Sequence, residues 1–270
     1  MKTGQATSLD RIRAVARRDW AVRRSYQFDL AFRMVGLLSS VATFFFISKL
    51  VGDAPALEDV RYFEFALIGL LVINGATVAM HSLKGAIAQE RADGTLEMIL
   101  SKPVPLWTVL TGSLVVPTLF YLAEVVLMLS FAVVLGSRFP LGGLLVAMPL
   151  LILTLVAFAI MGLFAVAFIV LTKRGEPITF VILQGTTLLA GAVFPAALLP
   201  AGLEVLARFI PAFYGLNGLR AAMLEGAGLF DVIDEIAILC LFIVVLAPVA
   251  LWVLNRALRI ARVAGTLGSY

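Results

Sequence analysis

Residues 89–105 read QERADGTLEMILSKPVP, a compact charged segment punctuated by Gly94, Pro103 and Pro105. It separates two of the most hydrophobic stretches of the chain, one running down to Ser82 and one starting at Leu106. That contrast decides the fold class. Of 270 residues, 61% are hydrophobic and only 14% are charged, with a mean hydropathy of +1.04. A soluble domain of this size has no use for so much apolar surface. Apolar runs of about 20 residues recur along the whole length, which is the pattern of a polytopic helical membrane protein. The ten-residue alternating segments of a barrel are not visible.

Working outward from the segment, the sequence predicts six spans at 28–51, 63–82, 106–135, 141–172, 178–199 and 236–255. The first run is longer than the apolar part of a cleavable signal, so the first span is expected to direct insertion itself. Orientation follows from lysine and arginine placement. Fifteen basic residues fall on the side that holds the N-terminal segment, residues 84–102, 173–174 and the C-terminal tail. Five fall on the other side: Lys49, Arg61, Arg138, Arg208 and Arg220, with Arg33 left inside the first span. Both termini are therefore expected in the cytoplasm, of a bacterial-type inner membrane. The net charge of +4 is a topology signal and gives no reason to invoke nucleic acid.

Before the first span, SLDRIRAVARRDWAVRRSYQ (8–27) offers Ser8 as an N-cap and Asp10 in the first turn. Leu9, Ile12, Ala16 and Trp20 recur at helical spacing with arginines on the other faces. This predicts an amphipathic helix on the cytoplasmic leaflet, its arginines towards lipid phosphate. Between the fifth and sixth spans, residues 200–235 hold two apolar pieces too short to cross a bilayer, broken by Pro211, Gly215 and Gly218. Irregular backbone at membrane depth must be buried in protein, so a re-entrant hairpin from the outer face is expected.

The opening segment itself predicts a helix–turn–short-helix. A helix running through Gln89 and Glu90 stops at Gly94, which takes the left-handed C-cap conformation readily. Thr95 caps a second short helix with Glu97 in its first turn. Pro103 and Pro105 end it. Acids occupy one part, and Leu96, Met98, Ile99 and Leu100 the other. That is the shape of a docking surface.

ERADGTLEMILSKPV resembles the Glu-x-x-x-Gly-Thr-Leu-Glu-x-x-Leu-x-x-Pro pattern between spans 2 and 3 of type-2 ABC-transporter permeases, with Glu90, Gly94, Thr95, Leu96, Glu97, Leu100 and Pro103 in register. LPAGLEVLARFIPAFYGLNGLRAAMLEG resembles that family's segment between spans 5 and 6, matching at Pro200, Pro211, Arg220 and Gly226. The basic pre-span helix matches as well. The resemblance implies an all-α membrane protein with an N-terminal interfacial helix (1–27), a six-span domain (28–258) and a cytoplasmic tail (259–270). Within the six-span domain it implies a coupling helix in the loop at about 84–105 and a re-entrant segment at about 200–235. It further implies a membrane subunit of an exporter, paired with a second permease subunit and driven by a separate dimeric ATPase that docks on the coupling loop. No Gly-x-x-x-x-Gly-Lys-Ser/Thr occurs in the chain, so ATP and magnesium are expected on the partner and no cofactor on this chain.

Polar residues inside the spans are the remaining candidates. Glu124 falls near the middle of span 3, where an ionisable group is expensive. It is either a contact for polar substrate or a gate, or a neutral acid bonded to a neighbouring helix. Asp29 and Arg33, four apart, are expected to pair with each other. Asn74 and Gln184 suit interhelical hydrogen bonds. The lone His81 and Cys240 offer neither a metal site nor a disulfide, and Cys240 is expected in the core. Tyr26, Tyr62 and Trp107 fall at predicted membrane boundaries. A secondary transporter using Glu124 as an ion-linked site is the alternative, weakened by the lack of an inverted repeat. An intramembrane enzyme fits worst, since no His-Glu-x-x-His or Gly-x-Ser-x-Gly is present. Apolar spans with few charges favour an amphiphilic or lipid-linked cargo.

Overall fold

A peptide group in lipid has no water to bond, so a long apolar run closes its hydrogen bonds within itself as a helix. The computed structural model of the chain follows that rule and describes residues 13–14, 16–20, 27–51, 62–92, 106–172 and 176–263. Every regular element among them is helical. Helix α1 occupies residues 13–14 and 16–20. It is followed by α2 (Gln27–Val51), α3 (Tyr62–Ala92), α4 (Leu106–Val134), α5 (Leu141–Thr172) and α6 (Glu176–Leu189). Two short helices, α7 (Ala201–Ala207) and α8 (Pro211–Arg220), lead through a π-turn at Ala221–Glu225 to α9 (Ile233–Val263). Among the described residues, five helices are long and apolar enough to cross a membrane: α2, α3, α4, α5 and α9.

Helix α5 is the hub, packing against α3, α6, α8 and α9. Helix α2 lies outside, on α3 and α4. One core cluster gathers Leu67, Leu71, Tyr121, Leu150, Phe158 and Leu216. A second gathers Leu83, Ile87, Leu110, Val166, Leu254 and Leu258 towards the other end of the bundle. Between helices in lipid there is little hydrophobic drive, so close packing and hydrogen bonds hold such a bundle. Gly69 illustrates the closeness, because a Cβ there would run into the Ala192 carbonyl oxygen. Hydroxyls along the spans return their protons to their own helices, as Thr77 does to the Ile73 carbonyl and Thr154 to that of Leu150.

The structure departs from the expected spans mainly at the fifth. The sequence predicts a span over 178–199, but α6 ends at Leu189. Its 14 residues span about 21 Å, short of the roughly 30 Å of hydrocarbon. The cause is local. Gly191, at φ 68°, takes the left-handed conformation. Its N–H donates to the Leu188 carbonyl while the Ala192 N–H reaches back to that of Thr187. This is a Schellman stop, followed four residues later by Pro195. Beyond it the chain makes a 3₁₀ turn at Ala196–Leu198. Helix α3 continues ten residues past the end of the second span to Ala92, in keeping with the expected helix through Gln89 and Glu90. Residues 93–105, with Gly94, Thr95, Leu96, Glu97, Leu100 and Pro103, lie outside the described residues, as do Tyr26 and the end of the tail.

Candidate functional site

Glu124 projects from α4 towards α2 and is 1% exposed. A buried carboxylate needs a cation, and Arg33 supplies one from α2. Its Nε lies 2.7 Å from Glu124 Oε1 and its Nη2 donates to Oε2 at 3.1 Å. This two-pronged geometry is the strongest form of carboxylate pairing. The Arg33 side chain stays 39% exposed, so the cation keeps contact with the surroundings while the acid does not. Arg33 thus reaches across helices to an acid 91 residues away in sequence; the side chain of Asp29, its expected partner one turn earlier, lies outside the described residues. One turn before Glu124, the fully buried Tyr121 donates its hydroxyl to the Leu71 carbonyl of α3 at 2.7 Å. A Cβ on Gly75 would collide with the Tyr121 ring, so α3 and α4 are keyed together at this level. On the other side of α4, Phe120 meets Trp20 of α1 with ring centroids 5.3 Å apart. Helices α1, α2 and α3 therefore all engage α4 within the five residues from Phe120 to Glu124.

A largely enclosed cation closes the far end of α6. Arg220, the last residue of α8, donates through Nη2 to the carbonyls of Gly191 and Ala192 at 2.8 and 3.0 Å. Those carbonyls belong to the helix stop, where backbone acceptors are unpaired and the helix dipole is negative. The guanidinium carbon sits 3.4 Å from the centre of the Phe65 ring of α3, a cation–π contact. Arg220 Nε is buried without a hydrogen-bond partner. The clasp ties α3, α6 and α8 with neutral acceptors only.

Among the other residues picked out by sequence, Asn74 Nδ2 is buried without a hydrogen-bond partner, and Gln184 is exposed on α6 rather than turned towards another helix. Cys240 is exposed on α9 rather than in the core. His81 Nδ1 donates to the Thr77 carbonyl of its own helix at 3.0 Å. Glu90 falls in the last turn of α3. Among the described residues no three His, Cys, Asp or Glu side chains come together as a metal site would require. The sequence missed Arg33 as the partner of Glu124, and it missed the Arg220 clasp. Arg220 had a signal: it is a cation inside an apolar segment, where a buried charge must find acceptors.

Residues 10–224 match the family model described as ABC-2 type transporter. The chain is similar to Nodulation protein J of Rhizobium leguminosarum bv. viciae, 28% identical over 211 residues that cover 74% of this chain and 77% of the relative. It is also similar to Nodulation protein J of Rhizobium leguminosarum bv. trifolii, 33% identical over 105 residues and 38% of each chain. With the family match extending over the pre-span helix, four of the five long apolar helices and both clasped regions, this multi-pass membrane protein belongs to the ABC-2 type transporter family as a membrane permease component.

Proposed function

We propose that the chain is the transmembrane subunit of an ATP-driven exporter, forming half of the path for an amphiphilic or lipid-linked substrate. A second permease subunit supplies the other half. A separate ATPase dimer binds ATP and magnesium and docks on the loop at 84–105, with both termini of the permease in the cytoplasm of a bacterial-type inner membrane. Glu90, Gly94, Thr95, Leu96, Glu97 and Pro103 form the docking element.

The observation that carries this reading is the length of α3. Its 31 residues span about 46 Å, well beyond the roughly 30 Å of hydrocarbon. The same rigid helix is buried at Leu71 beside Tyr121 and ends at the docking segment. A push on the loop is thereby delivered to the level of the Arg33–Glu124 pair. The ion-linked alternative requires the Glu124 carboxylate to be open to a transported ion, and Arg33 already occupies both of its oxygens.

Charge reversal at Glu90 or Glu97 is expected to uncouple transport from ATP hydrolysis while leaving membrane insertion intact. Unchanged transport and unchanged ATPase co-purification in both variants would refute the docking role. Cysteines at Ser8, Thr95, Arg174 and Ser269 should label from the cytoplasm, and those at Ala56 or Gly228 from outside. Labelling of Thr95 from outside would overturn the orientation.

A further inference from the structure

Helix α1 does not lie flush on α4. Between them runs a groove of about 380 Å³, lined by Arg13, Ala16, Arg17 and Trp20 on one side and by Val115, Val116 and Leu119 on the other. The volume falls within the roughly 300–1,000 Å³ typical of small-molecule sites. The walls are apolar and open outward, with Leu119 54% and Trp20 49% exposed. Arg13 and Arg17, four apart, share one face of α1 at its rim. Asp19, the neighbouring acid on α1, is engaged by Arg18 at 3.2 Å. Neither Arg13 nor Arg17 has an acidic partner among the described residues. Two cations with no acidic partner among the described residues, above an apolar cleft, match an anion that carries its own hydrocarbon.

We propose that this groove holds one anionic phospholipid, its phosphate between Arg13 and Arg17 and an acyl chain along Val115, Val116 and Leu119. On the orientation proposed above, the lipid comes from the cytoplasmic leaflet. Free phosphate would satisfy the arginines and leave the apolar walls unused. A lipid seated here wedges α1 against α4, where Trp20 touches Phe120, next to Tyr121 and one turn before Glu124. The site is thus a stoichiometric one beside the α2–α4 ion pair, distinct from diffuse attraction of a basic helix to a charged surface.

The test is native mass spectrometry of the purified full chain, delipidated and titrated with phosphatidylglycerol or phosphatidylcholine of equal chain length. The wild type should retain one phosphatidylglycerol per chain and markedly less phosphatidylcholine. Arg13→Gln with Arg17→Gln should weaken retention about thirtyfold, taking about 1 kcal/mol per basic side chain at an anionic surface. Leu119→Trp, which fills the groove and keeps both arginines, should abolish it, and millimolar inorganic phosphate should not compete. Equal retention of the two lipids, undiminished retention in either variant, or displacement by inorganic phosphate would overturn the proposal. So would loss of ATPase capture in the double arginine variant with lipid retention unchanged, which assigns the arginines to a protein partner. Orientation is read separately by labelling at Ser8, so failure of the lipid site and failure of the topology give different results.

Discussion

Among the described residues, two arginines answer a buried charge in different ways. At the α2–α4 contact a half-exposed arginine meets a fully buried carboxylate. At the end of α6 a largely enclosed arginine meets two backbone carbonyls and an aromatic ring, with no acid bonded to it among the described residues. In the first, the buried partner carries the charge, and the arginine keeps an exit. In the second, the arginine is itself the buried charge, and its partners cannot titrate or leave. The first contact is therefore able to open by swinging Arg33 outward, whereas the second behaves as a fixed clamp. That difference gives the two sites separate tests.

The largest effect is expected from Arg33→Leu. It strands Glu124 as a buried charge, which destabilises by about 3–5 kcal/mol when a buried pair loses one partner. Glu124→Gln should do much less harm, because the amide still accepts from Arg33 and the arginine is free to turn outward. Thermal unfolding in detergent measures both. If the two substitutions prove equally damaging, the buried acid is not the element that needs compensation. Transport separates the roles further: a glutamine variant with wild-type transport and coupling reduces Glu124 to packing, and selective loss of transport with ATPase activity intact assigns it to the path or gate.

At the clamp, Arg220→Gln removes charge-assisted bonds to both carbonyls together with the stacking on Phe65. A loss of about 2–3 kcal/mol is expected. Arg220→Lys should recover only part of it, since an ammonium cannot lie flat on the ring and serve both carbonyls. Full recovery by lysine would mean that charge alone matters there, and the contrast between a planar clamp and an ion pair would collapse.

The two regions also differ in what their sequences disclose. The fourth span is bounded by Pro140 and Lys173 around an uninterrupted apolar run, and α5 fills 141–172 as expected. The end of α6 was hidden, because residues 190–199 remain apolar after the helix has stopped and hydropathy does not register a backbone break. Gly191 followed by Pro195 was the available signal, in the pattern of a C-terminal stop. The Arg33–Glu124 pair was illegible for another reason. Spacing of four residues finds partners within a helix and is blind to a partner on a different one. Cys240 shows the same limit on α9, where the face towards lipid is as apolar as the face towards protein and the sequence does not distinguish them.

The smallest effect, and the sharpest test of the clamp, comes from Gly191→Ala. At φ 68° an alanine pays the left-handed penalty of about 1–2 kcal/mol, and its Cβ would crowd the Phe194 carbonyl oxygen and the Ala196 N–H at 2.9 Å. Gly191 also presents one of the two carbonyls that Arg220 grips. If the arginine stabilises this helix stop, the two substitutions are not independent. The double variant Gly191→Ala with Arg220→Gln should lose less than the sum of the singles, since a distorted stop has already forfeited part of what the arginine contributes. Strict additivity would mean that Arg220 holds α8 to α3 through Phe65 alone and that α6 ends where it does without help. A coupling of 0.5 kcal/mol or more, within the range of about 0.5–3 kcal/mol seen for contacting residues, would make stop and clamp one device.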